Sequence, residues 1–337
     1  MIPTGFYCVA NDAHFVGLVG LLNSLRLTGN DAPLFVADCG LTSVQRKRLA
    51  PHVVLVEVEN HGPPHLTKWA APLVHPAEVS VLLDVDMIVM RSLDPLVAAA
   101  HDRPLVFADP LWHRFDERWG RLLDLAPLRR GTYFNAGVIA LPARRAAELL
   151  PIVATAQRLI DTDEMWINGG RSENPFYFGD QDVWNAVFAA RLAPNELLVF
   201  EQRLAVHPPF PRLRLYDEQR LDCRYPDGAV PFFLHHIGPK PWLAQTRPNI
   251  YSRLLTRLLV GDDVTLRLQR SELPWRLRGH ATGEAGRAYA TTSASLHGMR
   301  GRLGLRRWLR ERPAGLRDPA TAAPAARVEP DTMAREV

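Results

Sequence analysis

The chain has 337 residues, 47% of them apolar and 23% charged, proportions of an ordinary globular protein with one large domain or two small ones. They exclude a largely disordered chain, a collagen and a coiled coil, and no run approaches the ~18 apolar residues of a membrane span. The net charge of +4 is unevenly spread: residues 1–264 carry 26 basic against 29 acidic side chains, residues 265–317 carry 12 against 3, and residues 318–337 carry 2 against 4.

Phe6–Ala10 is a short apolar run, read as a strand, and Phe15–Leu25 as a helix with Asn11 or Asp12 available as its cap. Pro33–Ala37 and Val53–Val58 are strands flanking a helix over Thr42–Leu49. Val79–Leu83 and Met87–Met90 form one apolar run interrupted by Asp84 and Asp86. Leu105–Ala108 and Gly137–Leu141 are further strands, with a helix from Ala143 to about Ile160. Asp180–Ala190 is helical and Phe232–Leu234 a short strand. Strands alternating with helices indicate an α/β fold with a mostly parallel central sheet. Val264–Gln269 alternates like an edge strand, Arg-rich segments follow, and residues 313–337 read as a disordered tail. The division expected is a body over 1–250, an Arg-rich extension of helical or irregular structure over 251–312, and the tail.

No basic stretch precedes the apolar start of the chain, so no signal peptide is read. Cys8, Cys39 and Cys223 are odd in number and form no C-x-x-C, which fits a reducing cytoplasm rather than a disulfide scaffold. The slightly acidic body goes with no nucleic-acid partner. Only three lysines, Lys47, Lys68 and Lys240, stand beside 37 arginines. In such a chain a lysine marks a place where a compact ammonium suits better than a planar fork.

Four constellations could carry chemistry. In Val81–Met90, Asp84 and Asp86 sit two apart in an apolar run, and in a strand they would share one face. Such a pair needs a proton or a cation between its members, and Mg²⁺ or Mn²⁺ suits oxygen ligands. The bland alternative is a solvated turn between two strands. In Phe232–Trp242, a strand runs into His235 and His236, then Gly238, and two prolines flank Lys240. A rigid backbone holding one ammonium suits a phosphate, and only one of the adjacent histidines can face a given metal. Read alone, this segment also fits one packed and one exposed histidine. In Tyr133–Leu141, Asn135, Ala136 and Gly137 suit close approach of a sugar to backbone, or a glycine bulge at the start of a strand. In Phe178–Asn185, Asp180 and Asp182 suit a helix N-terminus, unless Asp180 or Gln181 faces a cleft.

Taken in order, these motifs resemble the family-8 retaining glycosyltransferases, the group of glycogenin and of bacterial lipopolysaccharide galactosyl- and glucosyltransferases. The resemblance covers about residues 4–245. It runs through Asn11–Gly17, Leu66-Thr67-Lys68, Asp84-x-Asp86, Phe134–Gly137, Gly179-Asp180-Gln181, and His235 to Trp242. It departs in the last motif, where only Pro239 separates Gly238 from Lys240 and the family usually has two residues. That leaves His235, three before Gly238, as the metal ligand.

The resemblance implies a Rossmann-like A-type glycosyltransferase fold over 1–250 and a UDP-sugar donor. Asn11 and Asp12 would lie near the uracil, at the carboxyl end of the first strand. Asp84, Asp86 and His235 would hold Mn²⁺ (or Mg²⁺), with Val85 between them at the nucleotide. Lys68 would contact the donor, and Asn135, Ala136 and Gly137 would line its sugar. Gly238 would shape the last loop and Lys240 would neutralise the departing phosphate. Asp180 and Gln181 would sit at the sugar's reacting face. The implied reaction moves a hexose to a glycan or lipid-linked hydroxyl acceptor.

A sugar-1-phosphate nucleotidyltransferase should open with a Gly-rich loop carrying Arg and Lys, and residues 4–14 hold only Gly5. A non-catalytic nucleotide-sugar binder is expected to lose a metal ligand, and none is lost. In Leu296–Arg312, Leu305, Trp308 and Leu309 make a short apolar helical face among arginines. Two readings of it stay open: peripheral attachment to the anionic inner face of a membrane, which would bring a lipid-linked acceptor close, or a helix packed on the acidic body.

Overall fold

The computed structural model describes residues 1–58, 63–244 and 248–278. The Leu296–Arg312 segment and the 313–337 tail lie outside the described residues. The strands are β1 (Ile2–Ala10), β2 (Leu34–Asp38), β3 (Val54–Glu57), β4 (Ala77–Leu83), β5 (Met87–Val89), β6 (Leu105–Ala108), β7 (Phe134–Pro142), β8 (Leu198–Phe200), β9 (Ala205–Val206), β10 (Arg214–Asp217), β11 (Asp222–Arg224) and β12 (Phe233–His235). The helices are α1 (Phe15–Leu27), α2 (Ser43–Leu49), α3 (Ala70–Val74), α4 (Asp94–Ala99), α5 (Arg118–Leu122), α6 (Ala143–Gln157), α7 (Asp180–Arg191), α8 (Ile250–Val260) and α9 (Trp275–Arg278).

Seven strands form the central sheet in the order β3-β2-β1-β4-β7-β6-β8. All neighbours are parallel except β7, which runs against both β4 and β6. Strand alternation feeds two cores. Phe6, Cys8 and Ala10 of β1 point to one face of the sheet, with α1 and α8, while Tyr7 and Val9 point to the other, with α6 and α7. The three cysteines are buried and free. Thr42 caps α2 rather than lying within it: its hydroxyl accepts from the Gln45 backbone N–H, and the Gln45 side chain accepts from the Thr42 N–H. Among the described residues no helix is long and apolar enough to cross a membrane.

A second sheet, β5-β12-β9, sets the position of the site. The apolar run from Val79 to Met90, read as one run interrupted by Asp84 and Asp86, is two strands of different sheets: β4 belongs to the large sheet and β5 to the small one, and the chain changes sheet at Asp84–Asp86. His235 pairs with Met87 across β12 and β5, and Leu234 pairs with Val206 across β12 and β9.

The edge strand expected at Val264–Gln269 does not form. Leu266 and Leu268 are buried as the alternation requires, but their partners are helical. The Asn23 side chain of α1 donates to the carbonyls of Leu258 (2.7 Å) and Leu266 (2.9 Å) and accepts from the Leu266 N–H (2.9 Å). The Leu268 N–H donates to the Leu259 carbonyl. One buried amide thus takes the place of a neighbouring strand. Through it, α8 and the chain to Leu277 share the core of α1.

Asn23 is fully buried, so Asn23→Leu would strand two carbonyls and an N–H, at roughly 1–3 kcal/mol for each group left unpaired. Urea unfolding is expected to show a loss of about 3 kcal/mol or more. A variant as stable as the wild type would mean that the segment after α8 contributes nothing to the core.

Candidate active site

The carboxyl ends of β1, β4 and β6 and the amino end of the antiparallel β7 lie at one edge of the large sheet. Asp84, Val85 and Asp86 form a turn there, not the strand expected. The two carboxylates converge because the turn joins two sheets and both its ends are pinned. The Asp84 N–H donates to the Gly137 carbonyl (2.9 Å), and the Asp86 carbonyl accepts from the His236 N–H (3.0 Å). Gly17 of α1 lets the turn approach: a Cβ there would stand 2.6 Å from the Val85 carbonyl oxygen and 2.7 Å from the Trp242 ring.

His235 faces both carboxylates, its Nε2 3.2 Å from Asp86 Oδ1 and 3.6 Å from Asp84 Oδ2. Each of the three offers one ligand atom, all within 4.8 Å of one another. Two carboxylate oxygens and an imidazole nitrogen suit a hard divalent cation, so these residues fit the expected metal. Gly137 makes room for the ring, since a Cβ there would stand 2.4 Å from His235 Cε1 and 2.6 Å from Met87 Cε. The glycine expected to approach a sugar therefore admits the histidine. His236 points elsewhere: its Nε2 accepts from Asn249 Nδ2 (3.2 Å), and burial lowers its pKa to about 4, so it is neutral.

Burial by itself would raise the Asp86 carboxyl, but Lys240 and then His235 outweigh it and hold Asp86 well below the usual carboxylate range. The Lys240 ammonium donates to Asp86 Oδ2 and to the His236 carbonyl (3.2 Å). The short Gly238-Pro239-Lys240 spacing reaches the site because Gly238 adopts a left-handed φ of 82°. Beyond it, buried Trp242 donates from Nε1 to the Ala13 carbonyl, locking the loop onto the start of α1.

Lys68 is 1% exposed, behind the carboxylates rather than in the cleft. Its Nζ lies 2.5 Å from Asp84 Oδ1 and 3.4 Å from Asp180 Oδ2, and donates to the Ala136 carbonyl (2.9 Å). Burial opposes its charge, but Asp84 and Asp180 more than compensate and raise its pKa. Gln181, at the start of α7, accepts on Oε1 from Asn135 Nδ2 (2.9 Å) and the Ala136 N–H (3.3 Å). Asn135 and Gln181 both donate to Asp109 Oδ2, at 3.2 and 3.3 Å. Opposite β6, the register of β7 jumps between Asn135 and Ile139, so the glycine bulge and the polar site are the same feature.

Asn11 and Asp12 follow β1. Asn11 Oδ1 accepts from the His14 N–H (3.2 Å) and lies 2.6 Å from His14 Nδ1, while exposed Asp12 accepts from the Ala13 N–H. All the residues expected from sequence thus gather at one edge. Two were missed. Asp109 carried a readable signal, an acid directly after an apolar strand, in the position that Asp84 holds after β4. His207, buried beside His235, carried none, because it follows a two-residue strand.

No protein-family model matches the chain, and no curated protein matches it. Among solved structures it is similar to an active-site mutant of LgtC, with a TM-score of 0.51 and 18% identity over 81% of this chain and 99% of that one. It is also similar to the bifunctional glycosyltransferase WbbM, with a TM-score of 0.50 and 14% identity over 76% of this chain and 49% of that one. The fold is therefore the Rossmann-like glycosyltransferase fold, as the motifs implied.

Asp182 is a first-turn acid of α7, as read from the sequence, and it is also fully buried behind the site. Arg114 grips it from Nε (2.8 Å) and Nη2 (2.9 Å), Tyr133 donates its hydroxyl (2.7 Å), and the Phe178 N–H donates (2.8 Å). Burial still holds the carboxyl above its ordinary value, so desolvation outweighs the pull of Arg114 and the hydrogen bonds. Asp182→Ala leaves Arg114 without its partner and is expected to lower stability by about 3–5 kcal/mol in urea unfolding. A loss under about 1 kcal/mol would show that Arg114 is hydrated in the folded protein.

Proposed function

We propose that this chain is a divalent-metal-dependent, retaining glycosyltransferase that moves a hexose from a UDP-sugar to a hydroxyl of a glycan or lipid-linked acceptor. The observation that carries the reading is the convergence of Asp84, Asp86 and His235 within 4.8 Å, beside the Asp109–Asn135–Gln181 network, at the carboxyl edge of a glycosyltransferase fold. Open α/β sheets bind nucleotides at that edge.

Asp84, Asp86 and His235 hold the cation, Mn²⁺ or Mg²⁺, which when bound supplies Lewis-acid neutralisation of the leaving diphosphate. The uracil lies near Asn11 and Asp12, with the backbone of Val85 against the nucleotide. Lys240 brings a second positive charge to the same edge. A diphosphate arriving there competes with Asp86 for its ammonium and receives a fixed charge where negative charge develops. Gly238 turns the loop that carries it. Lys68 serves the donor through Asp84 and Asp180, which its buried ammonium holds in place.

The sugar rests on Asn135, Ala136 and Gly137, with Asp109 and Gln181 presenting hydrogen-bonding groups to it. Gln181 is a neutral amide and a poor nucleophile, so no covalent sugar forms on it. Its carbonyl oxygen and the Asp180 carboxylate stabilise the oxocarbenium-like centre. The acceptor hydroxyl attacks from the face that the diphosphate leaves, and the leaving phosphate takes its proton.

Two measurements test this. UDP release from a panel of UDP-sugars is expected with Mn²⁺ and not with EDTA, and Asp86→Asn should lower turnover by orders of magnitude, because cation stabilisation of the leaving group contributes several kcal/mol. Full activity of Asp86→Asn in EDTA would end the metal reading, and tight donor binding without turnover would make the protein a nucleotide-sugar binder. Proton NMR of early product is expected to show an α-linkage from an α-linked donor. A β-linkage would refute retention.

A further inference from the structure

His207 lies beside the proposed cation ligands but takes no part in the hydrogen bonding of the site. It follows β9, and the parallel pairing of Leu234 with Val206 makes His235 and His207 the next residues along two neighbouring strands. Across the other ladder His235 pairs with Met87, so the small sheet sets Met87, His235 and His207 in a row, and Asp86, one residue before Met87, brings its Oδ1 to 3.2 Å from His235 Nε2. The two rings meet edge to face, centroids 5.0 Å apart at 82°. His207 is 3% exposed, and neither of its ring nitrogens has a hydrogen-bond partner among the described residues. His235 Nδ1 is buried and without a partner too.

Three unpartnered nitrogens on two adjoining buried rings call for an explanation. A histidine that gives Nε2 to a cation carries its proton on Nδ1, and that N–H needs an acceptor to fix the tautomer and the ring's orientation. On another side His235 meets Gly137, which has no side chain, and Met87 is the neighbour across the second ladder. His207 is the polar ring packed against it.

We propose that His207 is a positioning residue for the metal ligand: it accepts the His235 Nδ1–H through one buried water, and so keeps Nε2 aimed at Asp84 and Asp86. This rests on the reading of Asp84, Asp86 and His235 as a cation site. A second imidazole then does what a carboxylate or backbone carbonyl does behind other metal-bound histidines.

The test uses the full chain and Mn²⁺ alone, with free Mn²⁺ followed by electron paramagnetic resonance. Thermal melts establish that each variant is folded at the titration temperature. His207→Phe and His207→Leu, which offer no acceptor, are expected to weaken Mn²⁺ binding about 10–100-fold. His207→Asn or His207→Gln, whose amide oxygens fall near the Nδ1 and Nε2 positions, is expected to restore it to within a few-fold. A second readout is the ¹H–¹⁵N correlation of the His235 ring with diamagnetic Mg²⁺ bound, since without a cation Nε2 carries the proton toward Asp86. With Mg²⁺ the Nδ1–H signal should be sharp and slow to exchange in the wild type and broadened by exchange in His207→Leu. Wild-type Mn²⁺ affinity in the Phe and Leu variants would overturn the proposal, and so would equal weakening in all four, which would mean that the loss comes from disturbed packing rather than from a missing acceptor. A wild type that binds Mn²⁺ no better than Asp86→Asn would instead end the cation-site reading, and the role of His207 with it.

Discussion

Water does not reach the Lys68 ammonium, and much of the site is arranged around that fact. A buried charge is tolerated only where its partners are close and its donors are filled. Lys68 meets this with Asp84 from the end of β4, Asp180 from the start of α7 and the Ala136 carbonyl of β7. One ammonium therefore ties together the strand that delivers the carboxylate pair, the helix that delivers Gln181 and the strand that delivers Asn135. It also lets Asp84 and Asp86 approach each other, because each has a lysine of its own: Lys68 for Asp84 and Lys240 for Asp86. The scarcity of lysine in this chain fits that use, since a compact ammonium satisfies three convergent acceptors where a planar guanidinium would not fit.

The second constraint is steric. The site exists because two sheets come close at a turn, and the closeness depends on missing side chains. Gly17 lets the Asp84–Asp86 turn lie on α1, and Gly137 lets the His235 ring lie on β7. Trp242 then seals the arrangement against Gly17 and carries Lys240 to Asp86. The small sheet contributes register, placing Met87, the end of β12 and the residue after β9 in a row, with Asp86 one residue before Met87.

The polar network of Asp109, Asn135 and Gln181 shows how a bulge becomes chemistry. Regular pairing along β7 and β6 would commit the backbone near Asn135 to the ladder. The jump in register frees it, and the Ala136 N–H turns to Gln181 while the Asn135 amide turns to Asp109. Groups of this kind, satisfied among themselves and open at the sheet edge, can exchange partners with a polyhydroxyl ligand without leaving buried polar atoms bare.

The chain by itself determined the α/β class, most strands and helices to within a few residues, and the candidate residues at the sheet edge. Those features rest on local periodicity, capping chemistry and short ordered motifs, all of which are properties of neighbouring residues. Tertiary structure decided the rest. Asp84 and Asp86 share a side because a turn is clamped between two sheets, a geometry that no strand alternation encodes. Leu266 and Leu268 alternate as a strand would, yet a side-chain amide from residue 23 completes their bonding. Asp182 has the sequence signature of a helix-start acid, and only the arrival of Arg114 from 68 residues away makes it a buried ion pair. Asp109 and His207 gain their places from partners far along the chain. Local pattern specifies which backbone bonds form. Which charges are desolvated, and who neutralises them, depends on contacts between segments that the linear order keeps apart.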